Sequence, residues 1–127
     1  MAVTNMTFYS EKNKNMDEKY DHKFCCNLDM NLGRIIADAL KAYDKEAGAI
    51  TPGWFAEQFG MAEGNKRWHK TLHRMIWSFE EAANGHKNAP DFHKLSEEEY
   101  RTQMDAYEKR VHRGRILFAE YFNSLWV

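Results

Sequence analysis

The chain has 127 residues, of which 43% are hydrophobic and 29% are charged. This length fits one folded domain, and the composition is typical of globular rather than disordered proteins. The net charge of −1 predicts no general attraction to DNA, RNA or an anionic membrane. No apolar run reaches the roughly 20 residues that span a bilayer, and no signal peptide is recognisable, so we expect a soluble cytoplasmic protein.

The first 27 residues form an N-terminal arm in which no helical or alternating period is sustained. We expect this arm to be irregular or to form a short strand, and we assign residues 28–127 to a single helical domain. Cys25 and Cys26 are the only cysteines, and adjacent cysteines strain badly as a disulfide. We therefore expect two reduced thiols.

Four segments after the arm have the apolar periodicity and the end signals of helices. The second of them begins at Thr51 and Pro52, which suit the cap and the first position of a helix. The four segments are, in chain order, one from near Asp29 or Asn31 to about Gly48, Pro52–Phe59, about Glu63–Ala83 and Glu97–Leu125. The predicted fold class is all-α, a small helical bundle of three longer helices plus a short one.

The last predicted helix has the clearest signature. Ser96 and Glu99 form a capping box. An apolar stripe follows at alternating four- and three-residue steps, and its members are Tyr100, Met104, Tyr107, Val111, Gly114, Phe118, Phe122 and Leu125. A glycine on a packing stripe predicts a close helix crossing, because no side chain separates the two backbones. Ile116, Leu117, Tyr121 and Trp126 lie off this stripe, so the apolar surface exceeds what one small core can bury. We expect a homo-oligomer built partly on this helix.

Two basic clusters are the main candidates for a binding site. Residues 65–74 and 109–115 each carry several lysines and arginines and no acidic residue. Arginine and lysine favour phosphate groups, and an aromatic ring off the core stripes can stack on a nucleobase. The alternative is that the clusters are solvated helix faces and that the aromatic rings belong to the core or an interface. The candidate ligand-binding residues are Trp54, Arg67, Lys70, Arg74, Trp77, Arg110 and Arg113.

Motifs for a metal site or for catalysis are weak or absent in this sequence. No group has the paired spacing of a structural zinc site, and we find no phosphate-binding glycine-rich loop and no Gly-x-Ser-x-Gly motif. Magnesium-dependent helical hydrolases require paired carboxylates spaced by a helical turn. Here the pair Glu80 and Glu81 and the run Glu97–Glu99 are contiguous instead. We therefore expect a protein without enzymatic activity, metal or cofactor. The metal-binding residue types considered were His22, Cys25, Cys26, Asp29, His69 and His73.

Three strings resemble a group of small phage-encoded proteins: Leu28-Asp29, residues 75–80 (MIWSFE) and residues 117–126 (LFAEYFNSLW). This group is similar to the anti-CBASS 4 type sponges. The resemblance implies a homotetramer that sequesters a cyclic dinucleotide immune signal, such as 3'3'-cGAMP, in the host cytoplasm and blocks CBASS effector activation without cleaving the signal. The matching strings are packing residues, so no ligand contact is carried over from the family.

Two other functions remain open from the sequence. The first is a protein-interaction module that inhibits a host enzyme through a helical face. The second is a small enzyme that acts on nucleotides.

Overall fold

The computed structural model describes residues 19–46 and 51–126, and this part of the chain is helical with no strand. The predicted all-α class is therefore confirmed. None of the described helices combines the length and the apolar character needed to cross a membrane. The helices are α1 (His22–Cys26), α2 (Leu28–Glu46), α3 (Gly53–Phe59), α4 (Met61–Ala83) and α5 (Glu97–Tyr121), with 3₁₀ turns at Phe92–Lys94 and Phe122–Ser124.

Helix α4 is the centre of the bundle, because it packs against α2, α3 and α5. Its apolar stripe, at three- and four-residue steps, supplies most of the core. Trp68, Leu72 and Met75 are fully buried. They meet Leu40 of α2, Phe55 of α3 and Leu117 of α5, with Ile76 completing the cluster.

Two glycines allow the backbones of α2 and α5 to come into direct contact with the backbone of α4. A Cβ on Gly33 of α2 would lie 2.8 Å from the Phe79 carbonyl oxygen. A Cβ on Gly114 of α5 would lie 2.5 Å from the Arg74 carbonyl oxygen and would overlap the Ser78 side chain. The close crossing predicted at Gly114 is therefore confirmed, and Gly33 provides a second one.

The arm prediction is wrong for its described part, because His22–Cys26 form helix α1. The Asp21 side chain accepts a hydrogen bond from the Phe24 amide at 2.9 Å, which caps this helix. The Asn31 side chain donates to the Phe24 carbonyl at 2.7 Å and ties α1 to α2. A five-residue helix is too short to show a period in the sequence. Residues 1–18 lie outside the described residues.

The predicted helix ends shift by a few residues. Helix α2 begins at Leu28, before the expected caps, and its predicted end falls within residues 47–50, which are outside the described residues. Helix α3 begins after Pro52 rather than at it. The Thr51 side chain does not cap this helix, because it donates a hydrogen bond to the Asn65 side chain. Helix α4 begins two residues earlier than expected, at Met61. Cys25 and Cys26 are free thiols, as expected.

The cap of α5 is confirmed, since Ser96 accepts a hydrogen bond from the Glu99 amide at 3.2 Å. The predicted stripe fails near the end of this helix. Leu117, which the stripe omitted, is buried, and Phe122, which it included, is exposed. The helix tightens into a 3₁₀ turn at Phe122, and this changes the direction of the side chains that follow.

Replacing Gly114 with alanine tests the α4–α5 crossing. The added methyl group would overlap Ser78 and the Arg74 carbonyl. Overpacking of this kind costs about 1–3 kcal/mol, so we expect Gly114→Ala to lower the free energy of unfolding by that amount, measured by urea denaturation. Gly53→Ala is the matched control, because nothing lies within 4 Å of the added atom. Equal stability of the two variants would contradict the close crossing.

Candidate functional site

Among the described cavities, the best candidate for a binding site is a groove at the junction of α3, α4 and the end of α5. Its volume is about 390 Å³. It contains four of the seven residues predicted to bind a ligand. We call it the basic groove, and its lining residues are Trp54, Phe55, Gln58, Phe59, Glu63, Arg67, Lys70, Thr71, Arg74 and Tyr121.

The basic groove follows directly from the pattern of α4. Arg67, Lys70 and Arg74 stand at steps of three and four residues, so they share one side of the helix. The neighbouring side carries Trp68, which is buried in the core. Burial of the apolar stripe therefore directs the three cations toward the groove. Helix α3 covers one end of this row because Phe55 is anchored in the core.

Two aromatic rings form one wall of the basic groove. Trp54 and Tyr121 are stacked, with ring centroids 5.5 Å apart and an interplanar angle of 26°. Tyr121 also contacts Trp68 edge to face at 5.8 Å, so its ring is braced against the core. Trp54 keeps 45% of its surface exposed. Tyr121 is absent from the predicted ligand-binding residues, because its position off the α5 stripe indicates only surplus apolar surface.

The three cations of the groove differ in how far they are neutralised. The Arg67 Nε lies 3.0 Å from the Glu63 carboxylate, and its guanidinium lies 4.2 Å from the Phe59 ring centre. No carboxylate of the described residues forms an ion pair with Lys70 or Arg74. Within the described part of the chain, the groove therefore holds two positive charges without a carboxylate partner beside one partly neutralised guanidinium, which is an environment that attracts anions.

The remaining predicted residues do not reach the basic groove. The Arg110 guanidinium lies 3.7 Å from the centre of the Trp77 ring, so one face of this ring is already occupied. These two residues line a separate cavity of about 420 Å³ that Tyr107 also borders. Arg113 lines neither cavity and lies 4.0 Å from Glu120. The seven predicted residues are therefore divided between two places, with one outside both.

The histidine pair on α4 is a link between helices. The His69 Nδ1 and His73 Nε2 atoms lie 2.6 Å and 3.0 Å from the two different carboxylate oxygens of Asp44 on α2. In the arm, the His22 Nε2 lies 3.3 Å from the Cys26 sulfur. Within residues 19–46 and 51–126, no group of three or more acidic, histidine or cysteine side chains is arranged to hold a metal ion.

Glu81, the most buried carboxylate among the described residues, belongs to a hydrogen-bond network that the sequence pattern does not predict. Only 1% of Glu81 is exposed. Its carboxylate accepts hydrogen bonds from the Asn88 amide groups at 2.7 and 3.2 Å and from the Tyr107 hydroxyl at 2.8 Å. The His86 Nδ1 lies 3.0 Å from the same hydroxyl. A buried carboxylate needs hydrogen-bond partners. Glu81 of α4 has them in Asn88 of the loop and Tyr107 of α5, so it fixes the loop between α4 and α5 against both helices.

This network perturbs the titration of Tyr107. Burial raises the pKa of its hydroxyl to about 12, and the hydrogen bond to Glu81 and the charge of that carboxylate act in the same direction, while Arg115 opposes them. We assign the network a structural role, because all of its buried oxygen atoms have partners within the fold.

The raised pKa of Tyr107 predicts a loss of stability in alkali. The folded protein holds this proton more tightly than the unfolded chain, where the pKa is 10.0. The contribution of Tyr107 to stability is therefore complete below about pH 10 and is lost as the pH rises through about 12. We expect the difference in unfolding free energy between wild type and Tyr107→Phe to shrink over that range in denaturation curves. Tyr20→Phe is the control, and the same shrinkage there would contradict the assignment.

Comparison of this chain with protein-family models, with curated proteins and with solved structures found no match, so the residues of the basic groove are the basis for assigning a function.

Proposed function

We propose that this protein is a phage counter-defence protein that binds a cyclic dinucleotide immune signal in the basic groove and sequesters it without cleavage, which keeps CBASS effectors inactive. The observation that carries the proposal is the pair of uncompensated cations, Lys70 and Arg74, beside the stacked rings of Trp54 and Tyr121. The resemblance of the packing strings to the anti-CBASS 4 type sponges supports the same function.

The cations suit the phosphate groups of such a ligand. Guanidinium groups bind phosphate oxygens through two parallel hydrogen bonds, and a lysine adds a mobile point charge. Arg74 and Lys70 are exposed and free to do this. Arg67 is held in place by Glu63 and Phe59, so it loses less conformational freedom when it binds.

The rings suit a nucleobase. The half-exposed Trp54 ring is braced from behind by Tyr121, and stacking on such a surface contributes about 1–3 kcal/mol per base. Gln58 and Glu63 line the same groove and offer hydrogen-bonding groups to the edge of a base. A phosphate site and a stacking surface in one groove favour a nucleotide over a simple anion.

The second cavity fits the other half of a dinucleotide. Lys70, Arg74 and Trp77 follow one another at steps of four and three residues on the same side of α4. Seven residues of helix separate Lys70 from Trp77 by roughly 10 Å along the axis. Arg110 lies over the Trp77 ring and has no carboxylate partner among the described residues, so the side of its guanidinium away from Trp77 can stack on a base. A ligand with two phosphates and two bases can therefore contact both places.

The lining of the groove supports binding without cleavage. Its only carboxylate is that of Glu63, which pairs with Arg67. The Thr71 hydroxyl donates to the Arg67 carbonyl at 2.9 Å and is not poised to attack a phosphate. Phosphodiester hydrolysis requires an activated nucleophile or clustered carboxylates that hold metal ions. The residues that line the groove contain neither.

We also propose that the protein acts as a homo-oligomer, with a tetramer as the state that the resemblance implies. Apolar side chains at the end of the chain are exposed in the single subunit, among them Ile116, Phe122 and Trp126. Exposed apolar clusters of this kind mark interfaces.

The proposed ligand can be tested by thermal stability against a panel of cyclic di- and trinucleotides. We expect one cyclic dinucleotide to raise the melting temperature, because a ligand that binds only the folded state stabilises it. Heating the complex should then release the same molecule intact, as checked by mass spectrometry. A cleaved product would indicate an enzyme. No shift with any nucleotide would overturn the proposal and leave the protein-interaction alternative.

A charge-matched pair of variants tests the groove itself. Each charge-assisted hydrogen bond to phosphate contributes about 1.5–3 kcal/mol, so we expect Lys70→Ala/Arg74→Ala to weaken binding at least about 100-fold in calorimetry. The control, Lys87→Ala/Lys94→Ala, removes the same charge from exposed positions outside the groove. Equal losses in the two variants would show that only overall charge attracts the ligand.

A further inference from the structure

Helix α2 has two apolar faces, and only one of them is buried. Gly33, Ala37 and Leu40 face the core. A second row of apolar side chains is exposed to solvent, and its three largest members keep 41–49% of their surface exposed. We call this row the α2 seam, and it consists of Leu28, Leu32, Ile35, Ala39 and Ala42.

The spacing of the α2 seam is that of a coiled coil. Its members follow at steps of four, three, four and three residues, which is an average repeat of 3.5. Apolar residues at this repeat lie along one line when two helices wind around each other. A solvated helix face would carry charged residues at these positions. The seam therefore has the pattern of a contact with another helix.

The sizes of the side chains along the α2 seam determine which helix can pack against it. The first three positions are large (Leu28, Leu32 and Ile35), and the last two are alanines. A parallel pair of identical helices would place large against large at one end and leave a gap at the alanines. An antiparallel pair places Leu32 opposite Ala42 of the second copy and Ile35 opposite Ala39, so these layers each combine a large and a small side chain, and Leu28 lies outside them, opposite the exposed Glu46.

We infer that the α2 seam is the interface between two copies of this chain, with the two α2 helices antiparallel about a twofold axis near the level of Ala37. Such an interface is isologous, and the same seam serves both subunits. The inference names the contact surface of the oligomer included in the proposed function, and it uses no property of the ligand.

The exposed end of the chain extends this interface. The Tyr43 hydroxyl lies 3.3 Å and 3.1 Å from the main-chain carbonyl oxygens of Ser124 and Trp126, so the last residues run beside the alanine end of the seam. Phe122 is 59% exposed and Trp126 is 68% exposed. In the antiparallel arrangement, this end faces the large residues of the second copy.

The apolar area is sufficient for a stable dimer. Leu28, Leu32, Ile35, Phe122 and Trp126 together expose roughly 500 Å² per subunit, if an aromatic side chain presents about 150–250 Å² and an aliphatic one somewhat less. A standard interface buries about 800 Å² per partner, of which about 65% is apolar in homodimers. The two amounts agree.

The charged flank of the seam does not oppose this pairing. Asp38 would approach its own copy near the axis, but Arg34 lies 3.5 Å from it in the same helix. Lys41 is likewise paired with Glu80 of its own subunit. Paired charges repel each other less across an interface than single charges do.

The mass in solution tests the interface. We expect wild type to sediment as a dimer or a higher even oligomer, and Ile35→Asp or Leu32→Asp to halve its mass while circular dichroism stays helical. Met61→Asp, at a position that is 78% exposed on α4, should leave the mass unchanged. A monomeric wild type, or an unchanged mass in both seam variants, would overturn the inference. Nucleotide-induced thermal shifts on the same samples report on the ligand separately.

Disulfide trapping tests the orientation. In a background of Cys25→Ser/Cys26→Ser, a chain with Leu32→Cys is mixed with a size-tagged chain with Ala42→Cys under oxidation. The antiparallel arrangement predicts cross-linked mixed dimers and few dimers of either chain with itself. Predominant links between two copies of the Ala42→Cys chain would indicate a parallel pair and contradict the inference.

Discussion

The close packing of α4 between its neighbours is the constraint on which the rest of the structure depends. At Gly114 the α5 backbone reaches the Arg74 carbonyl, and the Ser78 hydroxyl donates to the Val111 carbonyl at 2.5 Å. A buried hydroxyl needs such a partner, because an unsatisfied one costs about 1–3 kcal/mol. The crossing therefore accepts only small residues at both positions. Once it is fixed, the rotation of α4 is fixed too, and so is the side of the helix that remains outside.

That rotation creates the basic groove. The core buries Trp68, Leu72 and Met75 of α4. Three basic side chains of this helix therefore lie at the junction with α3 and the end of α5, and they are Arg67, Lys70 and Arg74. The core thus positions the site indirectly: Phe55 holds α3, α3 presents Trp54, and Tyr121 braces the Trp54 ring. A small change in the helix crossing would move the cations relative to the rings. Rigid elements of this kind hold a binding site more accurately than loops do.

The sequence predicted features that depend on neighbours along one helix and missed those that depend on contacts across the fold. The capped start of α5 and the stripe of α4 were correct, because capping and periodicity are local. Thr51 does not cap α3 as predicted, because its side chain donates a hydrogen bond to Asn65 of α4, which is distant along the chain. The division of the basic residues between two cavities also depends on the placement of α3 and of the loop before α5, which no spacing encodes. Glu81 looked like one of two adjacent acids, and only the loop that returns to it shows why it is buried.

The basic groove and the α2 seam lie on different helices. The lining of the basic groove comes from α3, α4 and α5, whereas the α2 seam contributes no residue to it. Helix α4 still connects the two surfaces, because it touches α2 at Gly33 and carries the groove cations on another side. Such a rigid link transmits an effect only where it has two packed arrangements, and a methyl-sized overlap at each glycine crossing leaves little room for a second one. In the proposed assembly, α4 would therefore carry little coupling between the interface and the groove, and oligomerisation would add capacity rather than cooperativity. The proposed sponge function would need no cooperativity, since the amount of signal removed depends on the number of sites and on the affinity of each.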